Sequence, residues 1–142
     1  MSIRRNFARL RTLSPPERRL LARALWLLPA YAAGVRALGL RRARGWFAHL
    51  PAIEGATQGQ AVRMVAAVAR RAPWAGGCLP AALTLQRLLA AQGIGSRLRI
   101  GVRKGEGGLE AHAWVEREGV TLFDPGGADQ GFAALEGARP AP

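Results

Sequence analysis

Near Gly93 the spacing of apolar residues changes from three or four to two. Upstream, Leu20, Leu21, Ala24, Leu25, Leu27 and Leu28 recur as one helical stripe, as do Val62, Val65, Ala66 and Ala69. Leu79, Leu83, Leu85, Leu88 and Leu89 form a third such set. Downstream, Leu98, Ile100 and Val102 alternate with Arg97, Arg99 and Arg103, the pattern of a half-buried strand. A helical stripe wraps one side of a cylinder, whereas alternation paints one face of a pleat, so neither pattern can serve the other element. The expected class is therefore α+β, with helices first and a small antiparallel sheet after them. At 142 residues and 49% hydrophobic content, the chain fits one domain with a real core. That domain is expected over 1–132, split into a basic helical half (1–72) and a second half (73–132). Residues 133–142, rich in Ala, Gly and Pro, read as a flexible tail.

Local signals set the boundaries. Ser14, Pro15 and Glu17 mark a helix start, with Glu17 placed as a capping-box partner. Pro29 should kink or end this helix, and a second short one should run to Leu38 and stop at Gly39. Residues 41–44 read as a basic connector, with Trp46, Phe47 and Leu50 as core anchors. A loop at 52–58 precedes a helix over 60–72. After the breaker Pro73-Trp74-Ala75-Gly76-Gly77, a helix is expected over 78–92, ended by Gly93. Further strands are expected at 110–116 and 120–124, with a polar loop at 104–108 and Pro125-Gly126-Gly127 closing the last strand.

Charge is uneven. The chain carries +12, of which residues 1–50 hold +10 from 11 basic side chains and one acid, Glu17. Such a face would attract acidic protein, nucleic acid or anionic membrane. Yet 20 of the 21 bases are Arg, alongside abundant Ala and Gly, which a GC-rich genome would favour without function. Nucleic-acid binding is not expected, because only 6% of residues are aromatic and base stacking needs aromatic platforms. The apolar run at 24–35 is shorter than the roughly 18 residues that span a bilayer. The Arg-rich stretch before it does not resemble a signal peptide. A cytoplasmic protein is the expectation, with loose membrane association left open.

The single cysteine excludes an internal disulfide and leaves a thiol to explain. Cys78 follows Gly76-Gly77 and precedes Pro80, and proline is tolerated only in the first turn of a helix. Cys78 should therefore sit at a helix start, where the dipole and free backbone N–H groups favour the thiolate. Its bland alternative is a small buried hydrophobe. His112, in a strand, offers the base a thiol nucleophile needs. If Arg117-Glu118-Gly119 is a three-residue hairpin loop, His112 faces Asp124 across two strands, within reach of a carboxylate that fixes its tautomer. Asp124 has its own bland reading, as the start of an Asp-Pro-Gly turn. Trp74 either lines the site or anchors its loop; Gly77 and Trp114 are further candidate substrate contacts. One Cys and two His, with exposed-looking His49 remote in sequence, are too few soft ligands for zinc, and no metal or cofactor is expected. Gly105-Glu106-Gly107-Gly108 lacks the spacing of a phosphate loop.

Several segments in fixed order carry a resemblance: Leu13-Ser14-Pro15 with Glu17-Arg18-Arg19-Leu20-Leu21, Cys78-Leu79-Pro80, Leu85-Gln86-Arg87-Leu88-Leu89, Gly93-Ile94, Leu98-Arg99-Ile100-Gly101-Val102, and Ala111-His112-Ala113-Trp114-Val115-Glu116. Over roughly residues 10–127 the chain resembles the lasso-peptide leader peptidases, the stand-alone protease half of the split leader-processing protein, within the transglutaminase-like cysteine peptidases. The resemblance implies a transglutaminase/papain-like core, with Cys78 as nucleophile, His112 as base and Asp124 as orienting acid. It implies a lasso precursor peptide as substrate, presented by a small leader-recognition protein, and an asparagine-synthetase-like cyclase acting on the freed amine. One departure is Ala81, where the family leads one to expect a basic residue. The residues alone leave two rivals: transglutaminase-like acyl transfer or deamidation by the same groups, and a non-enzymatic basic binding module.

Overall fold

The computed structural model describes residues 3–72, 77–123 and the backbone of 133–134. Along the chain run α1 (Ile3–Thr12), α2 (Pro15–Leu38), α3 (Leu40–Ala43), α4 (Gln58–Arg71), α5 (Cys78–Ala91), β1 (Arg97–Gly105), β2 (Gly108–Arg117), β3 (Val120–Phe123) and β4 (Ala133–Ala134). The α+β order expected from the change of period is the order adopted.

The α2 start is a capping box. The Ser14 side chain accepts from the Glu17 N–H, and the Glu17 carboxylate accepts from the Ser14 N–H at 2.8 Å. That backbone hydrogen bond holds the Glu17 carboxyl below its ordinary range; partial burial opposes the shift, and the Arg63 guanidinium at 2.8 Å adds to it. A depressed carboxyl pKa stabilises the fold above the unfolded value, and this contribution is lost as pH falls through the folded one. Glu17→Gln is therefore expected to lower the melting temperature at neutral pH and to flatten its fall in acid. Thermal unfolding across the carboxylate range measures this.

Pro29 does not divide the helix. α2 runs through it to Leu38, 24 residues in all, where the expectation was a kink or an end with a second short helix after it. Proline removes one backbone hydrogen bond at a cost of about 3 kcal/mol. Past it, Tyr31, Ala32 and Gly34 are buried, and the Tyr31 hydroxyl donates to the Trp46 carbonyl at 3.1 Å. This packing on the far side of Pro29 outweighs the missing bond. The basic connector at 41–44 is largely the short helix α3, and α1 is a helix the apolar spacing did not announce. α4 starts two residues earlier than expected, because Thr57 and Gln60 form a second capping box.

α2, α4 and α5 pack together around Leu20, Leu27, Val65, Leu85, Leu88 and Leu89. Trp46, Phe47 and Leu50 pack against this core, as expected, and the Phe47 ring meets those of Trp26, Tyr31 and Trp46 edge-on. Gly34 admits the Trp46 ring so closely that a Cβ there would stand 2.5 Å from it. Buried Arg87 on α5 donates to the Tyr31 hydroxyl and to the Arg44 carbonyl, tying α5 to α2 and the segment after α3. Burial pushes the Tyr31 phenol above its ordinary pKa, against the pull of that guanidinium.

The sheet order is β3-β2-β1-β4, antiparallel throughout. β1 and β2 pair from Arg97–Glu116 to Gly105–Gly108, so the expected loop at 104–108 shrinks to the turn Glu106-Gly107. The β2–β3 connection also differs from expectation. Arg117 pairs with Val120, leaving the two-residue turn Glu118-Gly119, with φ of 53° and 79°. Two left-handed residues in succession define the turn whose twist matches a hairpin, and glycine is the residue that takes this backbone without strain. The register then slips: Glu116 pairs with Thr121 but Val115 with Phe123, so β3 carries one extra residue. At 133–134, where a tail was expected to begin, the chain pairs with Gly101 and Val102 of β1 as β4. Among the described residues, no helix is long and apolar enough to cross a membrane.

Candidate active site

Cys78 is the first residue of α5, the position Pro80 implied. Gly77 is the cap, at φ 83° and ψ −147°, a conformation that suits a residue without Cβ. Gly77 has no side chain to accept from the first-turn N–H groups, and Pro80 has no N–H. The amides of Cys78 and Leu79 thus point their positive ends toward whatever approaches the helix start. The thiol is partly exposed, while Leu83, Leu85, Leu88 and Leu89 sink the rest of the helix into the core. Ala81 is wholly buried, so the position where a basic residue was expected is a core position of α5.

The far end of α5 fixes how the sheet meets it. Ile94 donates to the Leu89 carbonyl and Gly93 to that of Ala90, a Schellman ending that turns the chain back at once. Both β1 and β2 pack on α5, and Gly101 of β1 pairs with His112 of β2.

On β2 the side chains divide. Ala113 and Val115 enter the helical core, and His112, Trp114 and Glu116 take the other face. There His112 and Trp114 stack, with ring centroids 6.0 Å apart and planes at 21°. Trp114 Nε1–H donates to the Glu116 carboxylate at 2.9 Å. The second Glu116 oxygen lies 3.7 Å from Arg99 Nε on β1. His112 and Trp114 are buried, 7% and 4% exposed. Trp114, a candidate substrate contact, is buried and lies against the imidazole ring. Glu116, which holds the Trp114 indole, and Arg99 nearby were absent from the sequence reading of the site. The signal for Glu116 was the spacing His-x-Trp-x-Glu, which puts three side chains on one face of a strand; no spacing along β2 points to Arg99.

Asp124 and Trp74 lie outside the described residues. The hairpin that was to bring Asp124 opposite His112 is not the three-residue loop assumed, since the turn is shorter and a bulge follows. His49 is exposed. No cluster of three His, Cys, Asp or Glu side chains forms among the described residues.

A family model described as Transglutaminase-like superfamily matches residues 19–136, from the first turns of α2 to just beyond β4. The chain belongs to the transglutaminase-like superfamily. No curated protein and no solved structure gives a significant match. The transglutaminase-like segment contains Cys78, His112 and Asp124, and α1 lies ahead of it.

Proposed function

We propose that this transglutaminase-like protein is a cysteine peptidase that removes the leader from a ribosomally made lasso-peptide precursor. The observation that carries the reading is Cys78 at the first position of α5, under a cap with no side chain, on a helix that packs against the strand of His112. The ordered sequence resemblance supplies the substrate class.

In this reading the Cys78 thiolate attacks the carbonyl carbon at the leader–core junction. The Cys78 N–H donates to the oxyanion that forms. Protonated His112 gives its proton to the core amine as the C–N bond breaks, leaving a thioester on Cys78. Water then attacks the thioester, its proton passes to His112, and the leader departs with a free carboxylate. Asp124 holds the imidazole in the tautomer this requires. Trp114, steadied by Glu116, limits the ring to one plane. The partners are the precursor, a small leader-recognition protein, and a cyclase resembling asparagine synthetase that closes the macrolactam on the freed amine. None of the steps calls for a metal or cofactor.

The test is incubation with precursor and leader-recognition protein, followed by mass spectrometry. Leader and core should appear as two products whose masses add to the precursor plus one water. An uncut precursor altered in mass by deamidation, or joined to an amine, would replace this reading with side-chain acyl transfer.

A further inference from the structure

α1 is an unusual element. It is ten residues long, short for an isolated helix to persist in water. Every side chain from Arg4 to Thr12 is exposed. It carries Arg4, Arg5, Arg9 and Arg11 and no acid. Its Phe7 is 62% exposed and Leu10 lies one turn on.

α1 meets α2 where the Arg18 guanidinium donates to the Arg11 carbonyl at 3.3 Å. Between them runs a groove of about 370 Å³ lined by Phe7, Leu10, Leu21 and Leu25, with Arg11 and Arg18 at its rim. Leu25, 58% exposed, extends the apolar strip along α2. This is the flank left free by the α2 core residues Leu20, Ala24, Leu27, Leu28 and Tyr31, through which α2 meets α4 and α5. Glu17, the one acid among residues 1–50, is committed to Arg63 and the α2 cap.

We propose that α1 and the adjoining flank of α2 form a docking surface for an anionic lipid bilayer. Phe7, Leu10 and Leu25 enter the interfacial layer, and the guanidinium groups reach the headgroup phosphates. Charge complementarity identifies the occupant: the strip is hydrocarbon bordered by cations, and apart from those cations the groove offers no hydrogen-bonding side chain. A protein interface of useful size carries some ten hydrogen bonds; a bilayer needs only apolar area below and positive charge at its surface. Docking supplies the cover that α1 lacks in water. It leaves Cys78 open, because α5 packs on the core side of α2. The proposal does not depend on the chemistry at Cys78.

The test is co-sedimentation of the full chain with vesicles of phosphatidylcholine containing phosphatidylglycerol, and with vesicles of phosphatidylcholine alone. Binding is expected to the anionic vesicles and to weaken as salt rises. Neutralising Arg4, Arg5 and Arg9 to Gln should weaken it roughly 100-fold, at about one kcal/mol per cation near the surface. Phe7→Asp and, separately, Leu25→Asp should each weaken it too, with helix content by circular dichroism showing the protein still folded. Cleavage of dissolved precursor should be unchanged in these variants. Equal binding to both vesicle types, or undiminished binding by the Arg variant, overturns the proposal. So does failure to sediment with either vesicle, the outcome expected if the strip instead meets an acidic protein.

Discussion

Replacing Cys78 by Ala should abolish leader cleavage, with a loss on the order of 10⁴-fold or more, as when a covalent nucleophile is removed from a hydrolase. The substitution removes one sulfur at a partly exposed helix start, so the melting temperature should hardly move. That separation between activity and stability is the diagnostic result. His112→Ala should be nearly as damaging, because the thiol then has no base and the departing amine no acid. Asp124→Asn should cost less than either if its task is orientation alone. Initial rates of product formation, read by mass spectrometry, give all three. Undiminished cleavage by Cys78→Ala would refute the peptidase reading. Retained cleavage by His112→Ala would require another base.

The second large effect is expected at Trp114. It is buried, stacks on His112, and donates to Glu116, which is near Arg99. Trp114→Ala should destabilise the fold by about 3–5 kcal/mol, the range for deleting a buried aromatic side chain. Trp114→Phe keeps the stacked ring and loses the indole N–H, so it should cost only about 1–3 kcal/mol, chiefly from the acceptor left behind on Glu116. Urea unfolding gives both values. Cleavage rates measured where both variants remain folded should rank wild type, Phe, then Ala. Equal activity in the two variants would make Trp114 a core residue with no part in holding the imidazole.

The helices and strands were legible in the sequence where their physics is local. Ser14 and Glu17 announced a cap, Pro80 a helix start at Cys78, and the alternation around Ile100 a strand. Tertiary packing was not legible, and it carried α2 through Pro29. α1 was missed because its apolar residues are few, scattered among arginines, and bury nothing. The β2–β3 hairpin misled because Gly119 suits both a three-residue loop and the second position of a two-residue turn. The run Leu122-Phe123, two apolar residues in a row, was the available sign of the extra residue in β3. Of the candidate site, Cys78 and His112 could be placed on their elements from sequence alone. The approach of Arg99 to Glu116 needed the pairing of β1 with β2, a contact between strands that spacing along one of them does not specify.

The extra residue in β3 has a consequence for how chains of this kind tolerate length change. A bulge lets one strand carry a residue that its partner does not match, so Val115 and Phe123 still meet in the core although Leu122 has no opposite number. Deleting Leu122 would leave Thr121 opposite Glu116 and Phe123 opposite Val115, as in a regular ladder. This is therefore a place where relatives can gain or lose one residue and keep the same inward-facing pair.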